Sequence, residues 1–134
     1  MGKVLVAVDG SEYSMEALTY ALERCSEDEI TVVHVPVTTM KDLRSEEEAG
    51  ELAEKRGRRV LEKAAETAEG YGKEVKTELV YGDVSRAVVS YADKSGVDRI
   101  LVGSRGTGGT KRALLGSVAE NVMRRAGCPV TVVR

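Results

Sequence analysis

The residue types best able to do chemistry are concentrated between Gly103 and Ser117, in the stretch GSRGTGGTKRALLGS, which carries five glycines. Gly103, Gly106, Gly108 and Gly109 lack a Cβ, so the chain is free to take positive φ and a ligand can come close to backbone N–H groups. A phosphate suits such surroundings. Ser117-Val118-Ala119-Glu120 reads as a capping box with Ser117 as N-cap, which would set a helix N-terminus and its dipole beside the glycines. Arg105, Lys111 and Arg112 add positive charge.

Position excludes two familiar phosphate motifs. A P-loop requires Gly-Lys-Ser/Thr after a glycine and four residues, but Lys111 follows Thr110 and precedes Arg112. The dinucleotide pattern G-x-G-x-x-G starts at Gly106 and Gly108 and then meets Lys111 where its third glycine belongs. What the residues do spell is G-x2-G-x9-G-Ser, from Gly103, Gly106, Gly116 and Ser117. Glycine spacing alone also fits a ligand-free surface loop; the strand before it and the cap after it favour a ligand. Asp9, in Asp9-Gly10-Ser11, suits a ribose hydroxyl and equally suits holding a turn or capping a helix. His34, the single histidine, reads as a packed strand residue.

The elements that would position these residues follow from periodicity. Val4–Val8 and Ile30–Val35 are unbroken apolar runs, the signature of strands covered on both faces. Val75, Thr77 and Leu79 alternate with charged residues and predict a border strand; Arg99–Val102 and Val130–Val133 complete five. Between them lie four helical patterns. The first carries Met15, Leu18, Leu22 and Cys25, with Ser11 or Ser14 as cap; the second opens on the box Ser45-Glu46-Glu47-Glu48 and ends near Gly70 and Gly72. Gly50 and Gly57 fall inside that second helix, where each costs about 1 kcal/mol relative to alanine. The third runs from a Gly82-Asp83 turn to Ser95-Gly96, and the fourth is expected to bury Val118, Val122, Met123 and Ala126 before stopping at Gly127. This alternation predicts an α/β fold, one doubly wound parallel sheet with helices on both faces, and the order expected for it is 3-2-1-4-5, in which strands one and four are neighbours. In that order the Asp9 turn and the glycine loop line one crevice at the carboxyl ends of neighbouring strands.

Composition narrows the function classes. The 134 residues make one domain, residues 1–134, able to bury a core without metals or disulfides. No apolar run reaches the length of a membrane span, and no signal-peptide core follows Met1, so a cytoplasmic location is expected. A net charge of −2, no Trp, no Phe and five scattered Tyr argue against nucleic-acid binding. From Arg99 onward the chain is locally basic, with Glu120 as its single acid, which suits an anionic small molecule. Cys25 and Cys128 form no C-x-x-C and read as small core residues.

The order of elements, the Val-Asp-Gly-Ser turn at residues 8–11, His34-Val35 at the end of the second strand and the signature Gly103, Gly106, Gly116, Ser117 together resemble the ATP-binding branch of the universal stress protein family. The resemblance spans essentially the whole chain. It implies that Ala7 lies under the adenine, that Asp9 approaches the ribose and that the backbone of Val35 meets the adenine edge. It implies further that Gly103, Gly106, Gly116, Ser117 and the backbone of Val118 hold the phosphates of ATP, with Mg or Mn arriving on those phosphates. Arg105 belongs to the expected cofactor-binding set; no role carries onto Lys111 or Arg112. The connection from Pro36 to Arg44 is short and would leave the nucleotide more open. An apolar last strand, Val130–Val133, leaves a bare edge that a second copy could cover, and members of the family pair such edges as homodimers.

Three functions compete. The first is an ATP-binding signalling or stress-response module, favoured by a site with no visible general base. The second is a slow ATPase or phosphoryl-transfer enzyme, since that chemistry needs mainly positioning and charge. The third is a dimeric interaction protein with an empty crevice, which the intact signature argues against.

Overall fold

The computed structural model describes residues 2–38, 45–106 and 115–134. Gly108, Gly109, Lys111, Arg112 and most of the connection from Pro36 to Arg44 lie outside the described residues, and with them the expectations placed there. The elements run β1 (Lys3–Ala7), α1 (Glu12–Arg24), β2 (Glu29–His34), α2 (Glu46–Gly70), β3 (Lys76–Leu79), α3 (Val84–Ser95), β4 (Arg99–Gly103), α4 (Ser117–Arg125) and β5 (Val130–Val133). All four pairings are parallel and the strand order is β3-β2-β1-β4-β5, as the sequence predicts.

The unbroken apolar runs are explained by two cores, one on each face. Val4, Val6 and Val8 pack with α1 and α2, through Leu18, Leu22, Leu61 and Ala64. Leu5 points the other way and packs with Val88, Val89, Ala119 and Val122 of α3 and α4. A strand apolar at every position is therefore needed: each successive side chain enters a different core. The chain moves from β1 outward to β3, then returns to pair β4 on the other side of β1, so the order reverses between β1 and β4.

Local signals act largely as expected. Ser11 Oγ accepts from Ser14 N–H at 3.2 Å and Ser45 Oγ from Glu48 N–H at 3.2 Å, capping α1 and α2. Asp83 caps α3, accepting from Arg86 N–H at 3.2 Å and from the Ser85 hydroxyl at 3.0 Å, and Gly96 ends it at φ +65°. The two α2 glycines differ. A Cβ on Gly57 would stand 2.7 Å from His34 Cδ2 and 2.9 Å from a Leu79 methyl, whereas one on Gly50 would meet nothing within 4 Å. Gly57 thus lets the helix lie close on the sheet, and Gly50 has no such role.

Expectations about α4 fail in part. Its N-cap is Gly116 in extended conformation, so Ser117 is already helical and no side chain among the described residues caps the helix; Glu120 instead pairs with Arg124 at 2.8 Å. The box pattern is present, but the chain enters the helix one residue early because Gly116 N–H is held by the Ser104 carbonyl at 2.5 Å. Met123 is 43% exposed rather than buried, because the face that meets the sheet is set by Ala119 and Val122. The helix also stops on extended Ala126, without a left-handed glycine.

Candidate functional site

At the carboxyl ends of β1, β2 and β4, where the strand order reverses, a cavity of about 720 Å³ opens. That volume falls in the usual range for a small-molecule site. All nine residues singled out from the sequence line it: Ala7 and Asp9 after β1, Val35 after β2, Gly103, Arg105 and Gly106 after β4, and Gly116, Ser117 and Val118 at the start of α4. Val33, Val35, Val84 and Val88 contribute apolar lining, and Asp9, the glycines and the backbone of the first turn of α4 contribute polar lining.

Asp9 is fixed by its own turn. Its Oδ1 accepts from Ser11 N–H at 2.8 Å, its N–H donates to Ser14 Oγ at 3.1 Å, and the buried Ser14 hydroxyl donates to the Ser11 carbonyl at 3.0 Å. The turn-holding role is therefore real, and it leaves the carboxylate on the cavity wall. The second oxygen lies against the glycine loop: a Cβ on Gly106 would stand 2.7 Å from Asp9 Oδ2.

The signature glycines are required by close approach and not by positive φ, since among the described residues only Gly10, Gly72, Gly82 and Gly96 have positive φ. A Cβ on Gly103 would lie 2.6 Å from the Tyr13 carbonyl carbon and oxygen, because the first turn of α1 rests on that residue. One on Gly116 would lie 3.2 Å from Arg105 Cα and from the Ser104 carbonyl oxygen. Gly103 therefore serves packing between elements as well as the cavity.

Among the residues expected from the sequence, the anion-attracting groups are the start of α4 and Arg105. The first-turn N–H groups of α4 at Ser117, Val118 and Ala119, residues that all line the cavity, have no intrahelical acceptor, and no side chain among the described residues caps them. The other three helices each begin with a capping serine or aspartate. Arg105 sits with its guanidinium carbon 5.6 Å from the centre of the Tyr13 ring. Asp83, whose residue neighbour Val84 reaches the cavity, is held below the usual carboxylate range by the Arg86 N–H and the Ser85 hydroxyl.

Sequence reasoning missed the contribution of α2, which adds Ala53, Arg56 and Val60 to the wall. The signal was available: Arg56 breaks an apolar stripe three residues after Ala53 and four before Val60. His34 also lines the cavity, and its Nδ1 lies 2.8 Å from the Val8 carbonyl oxygen, which fixes the proton on Nδ1 because a carbonyl only accepts. Among the described residues no group of three or more His, Cys, Asp or Glu could hold a metal ion. No described helix is long and apolar enough to cross a membrane.

Comparison with known proteins places these features in context. The profile of the universal stress protein family matches residues 1–134. A universal stress protein of Methanocaldococcus jannaschii is 35% identical over 138 residues, spanning 98% of this chain and 81% of the relative. The solved structure of a second protein of that organism superposes with a TM-score of 0.81 at 33% identity, over 98% of this chain and 94% of that one. A universal stress protein solved in complex with cAMP superposes with a TM-score of 0.75 at 27% identity, over 99% of this chain and 97% of that one.

Proposed function

Because the chain belongs to the universal stress protein family, we propose that it is an ATP-binding signalling or stress-response module that acts as a homodimer. The observation that carries this reading is a cavity that joins the Asp9 turn to the start of α4, which no side chain among the described residues caps. A cAMP-bound relative of the same fold supports an adenine nucleotide as the ligand class. In this reading Ala7 and Val35 border the adenine, with Val35 contributing its backbone, and Asp9 takes a ribose hydroxyl. Gly106, Ser117 and Val118 receive the phosphates on backbone N–H groups, Gly103 and Gly116 allow the close approach, and Arg105 adds charge. Mg or Mn would come with the phosphates: Asp9 is the one carboxylate on the described wall, too few for a protein cage and enough for a largely hydrated ion.

Calorimetric titration with ATP and magnesium, beside a Gly106→Val variant, tests the site. Micromolar binding that is lost in the variant is expected, since the valine must displace the Asp9 carboxylate. Absence of binding to the folded parent protein would overturn the reading. The dimer is argued from β5, an edge strand paired only with β4 and half-buried along its length. Sedimentation as a monomer at micromolar concentration would remove that part.

Slow ATP hydrolysis is a second reading, favoured by the position of Asp9 on the cavity wall, where it could orient a metal-bound phosphate or a water. Asp9→Asn should then abolish turnover and leave binding. An absence of turnover in the parent protein disposes of it.

A further inference from the structure

The polar wall of the cavity is made by two segments that interlock at three points. Main chain meets main chain where the Tyr13 carbonyl leaves no room for a Cβ on Gly103; a carboxylate meets an α-carbon where Asp9 Oδ2 closes on Gly106. Between them the Arg105 guanidinium stands over the Tyr13 ring, 5.6 Å from its centre, with both residues half-buried. Tyr13 itself is not among the cavity-lining residues, whereas Arg105 is.

We infer that Tyr13 is a positioning residue for the nucleotide site: its ring holds the Arg105 guanidinium at the cavity wall, so that the charge is in place for phosphates and the site prefers phosphorylated nucleotides to uncharged nucleosides. The inference rests on the nucleotide reading above. The chemistry follows from the guanidinium itself. It is planar and weakly hydrated, so it stacks on an aromatic face while the N–H groups along its edge remain able to donate to phosphate oxygens. A long side chain already held on a ring loses less rotamer freedom when the ligand arrives, and the gain appears as affinity. Lysine would carry the charge without the stacking plane.

The test is calorimetry with ATP, AMP and adenosine, in magnesium at two salt concentrations, on the parent protein and on Tyr13→Phe, Tyr13→Leu, Arg105→Gln and the Tyr13→Leu/Arg105→Gln pair. Tyr13→Leu should weaken ATP by about two- to fivefold, the range of an exposed cation–π contact, and flatten the salt dependence of ATP binding. Adenosine affinity should stay the same, Tyr13→Phe should bind ATP as the parent does, and Tyr13→Leu should add nothing once Arg105 is Gln. Equal weakening of ATP and adenosine, or the same loss with and without Arg105, would overturn the inference, because either would mean that the tyrosine only supports the fold. Should Tyr13→Leu fail to fold, Arg105→Lys decides: a drop in ATP affinity with adenosine unchanged is expected, and parental affinity refutes the role of the stack. A parent protein that binds ATP while all variants match it refutes this inference alone; a parent that binds none of the three refutes the nucleotide reading with it.

Discussion

The two ends of the sheet use aspartate for different work. At the amino end, Asp28 Oδ1 accepts from Gly2 N–H at 2.8 Å and Asp98 Oδ2 from Lys3 N–H at 2.8 Å, so carboxylates close the start of β1 onto its surroundings. At the carboxyl end, Asp9 turns the chain with one oxygen while its carboxylate lines a cavity. The helix starts differ in the same sense. Three of the four are capped by a side chain, and the fourth, α4, begins without a side-chain cap among the described residues where the cavity lies. The difference teaches where a ligand can be accommodated: at the amino end carboxylates take up the first N–H groups of β1, and at the carboxyl end the first turn of α4 faces a cavity with no side-chain cap among the described residues.

The comparison can be broken most forcefully at Gly103. Gly103→Ala places a methyl 2.6 Å from the Tyr13 main chain, which cannot yield as a side chain could. Loss of about 3 kcal/mol in urea unfolding is expected, together with loss of nucleotide binding. Asp98→Ala acts at the opposite end and should cost about 1 kcal/mol in the same assay without changing affinity for ATP. Changed affinity there would show that the two ends are coupled after all.

The smallest effect sharpens the contrast by using an aspartate at the cavity end that does structural work. Asp83 has its pKa lowered from 3.8, first by the Arg86 N–H and then by the Ser85 hydroxyl. Its contribution to stability is therefore present above the unfolded value and lost as pH falls through the lower folded value. Asp83→Asn, which keeps a capping oxygen, should flatten the stability profile below about pH 4 and leave it parallel to the parent near neutrality. An unchanged acid limb would mean that the cap does not titrate with folding.

Much of this arrangement is legible in the sequence because its causes are local or strictly periodic. The apolar runs of β1, β2 and β4 and the helical stripes between them suffice for the fold class, and the expected strand order, which the structure has, is what brings the two loops to one crevice. What escapes the sequence depends on contacts between distant residues. The reason for Gly103 lies in Tyr13, ninety positions earlier, and that for Gly57 in His34 and Leu79, contacts that spacing alone does not show. The Ser117 box misleads because a cap depends on where the preceding chain arrives, and Gly116 is tied back to Ser104. Arg56 goes unnoticed because α2 reads as a covering helix, and its first half also forms cavity wall.

The seat that Gly57 makes for His34 has a spectroscopic consequence. The chain contains one histidine, so its imidazole resonances come from a single place and need no sorting from others. That ring touches α2 on one side, bonds the Val8 carbonyl at the end of β1 through its Nδ1 proton, and borders the cavity. It is a native reporter at the junction of strand, helix and cavity: a ligand that moves any of the three shifts one imidazole signal, in a protein that carries no label.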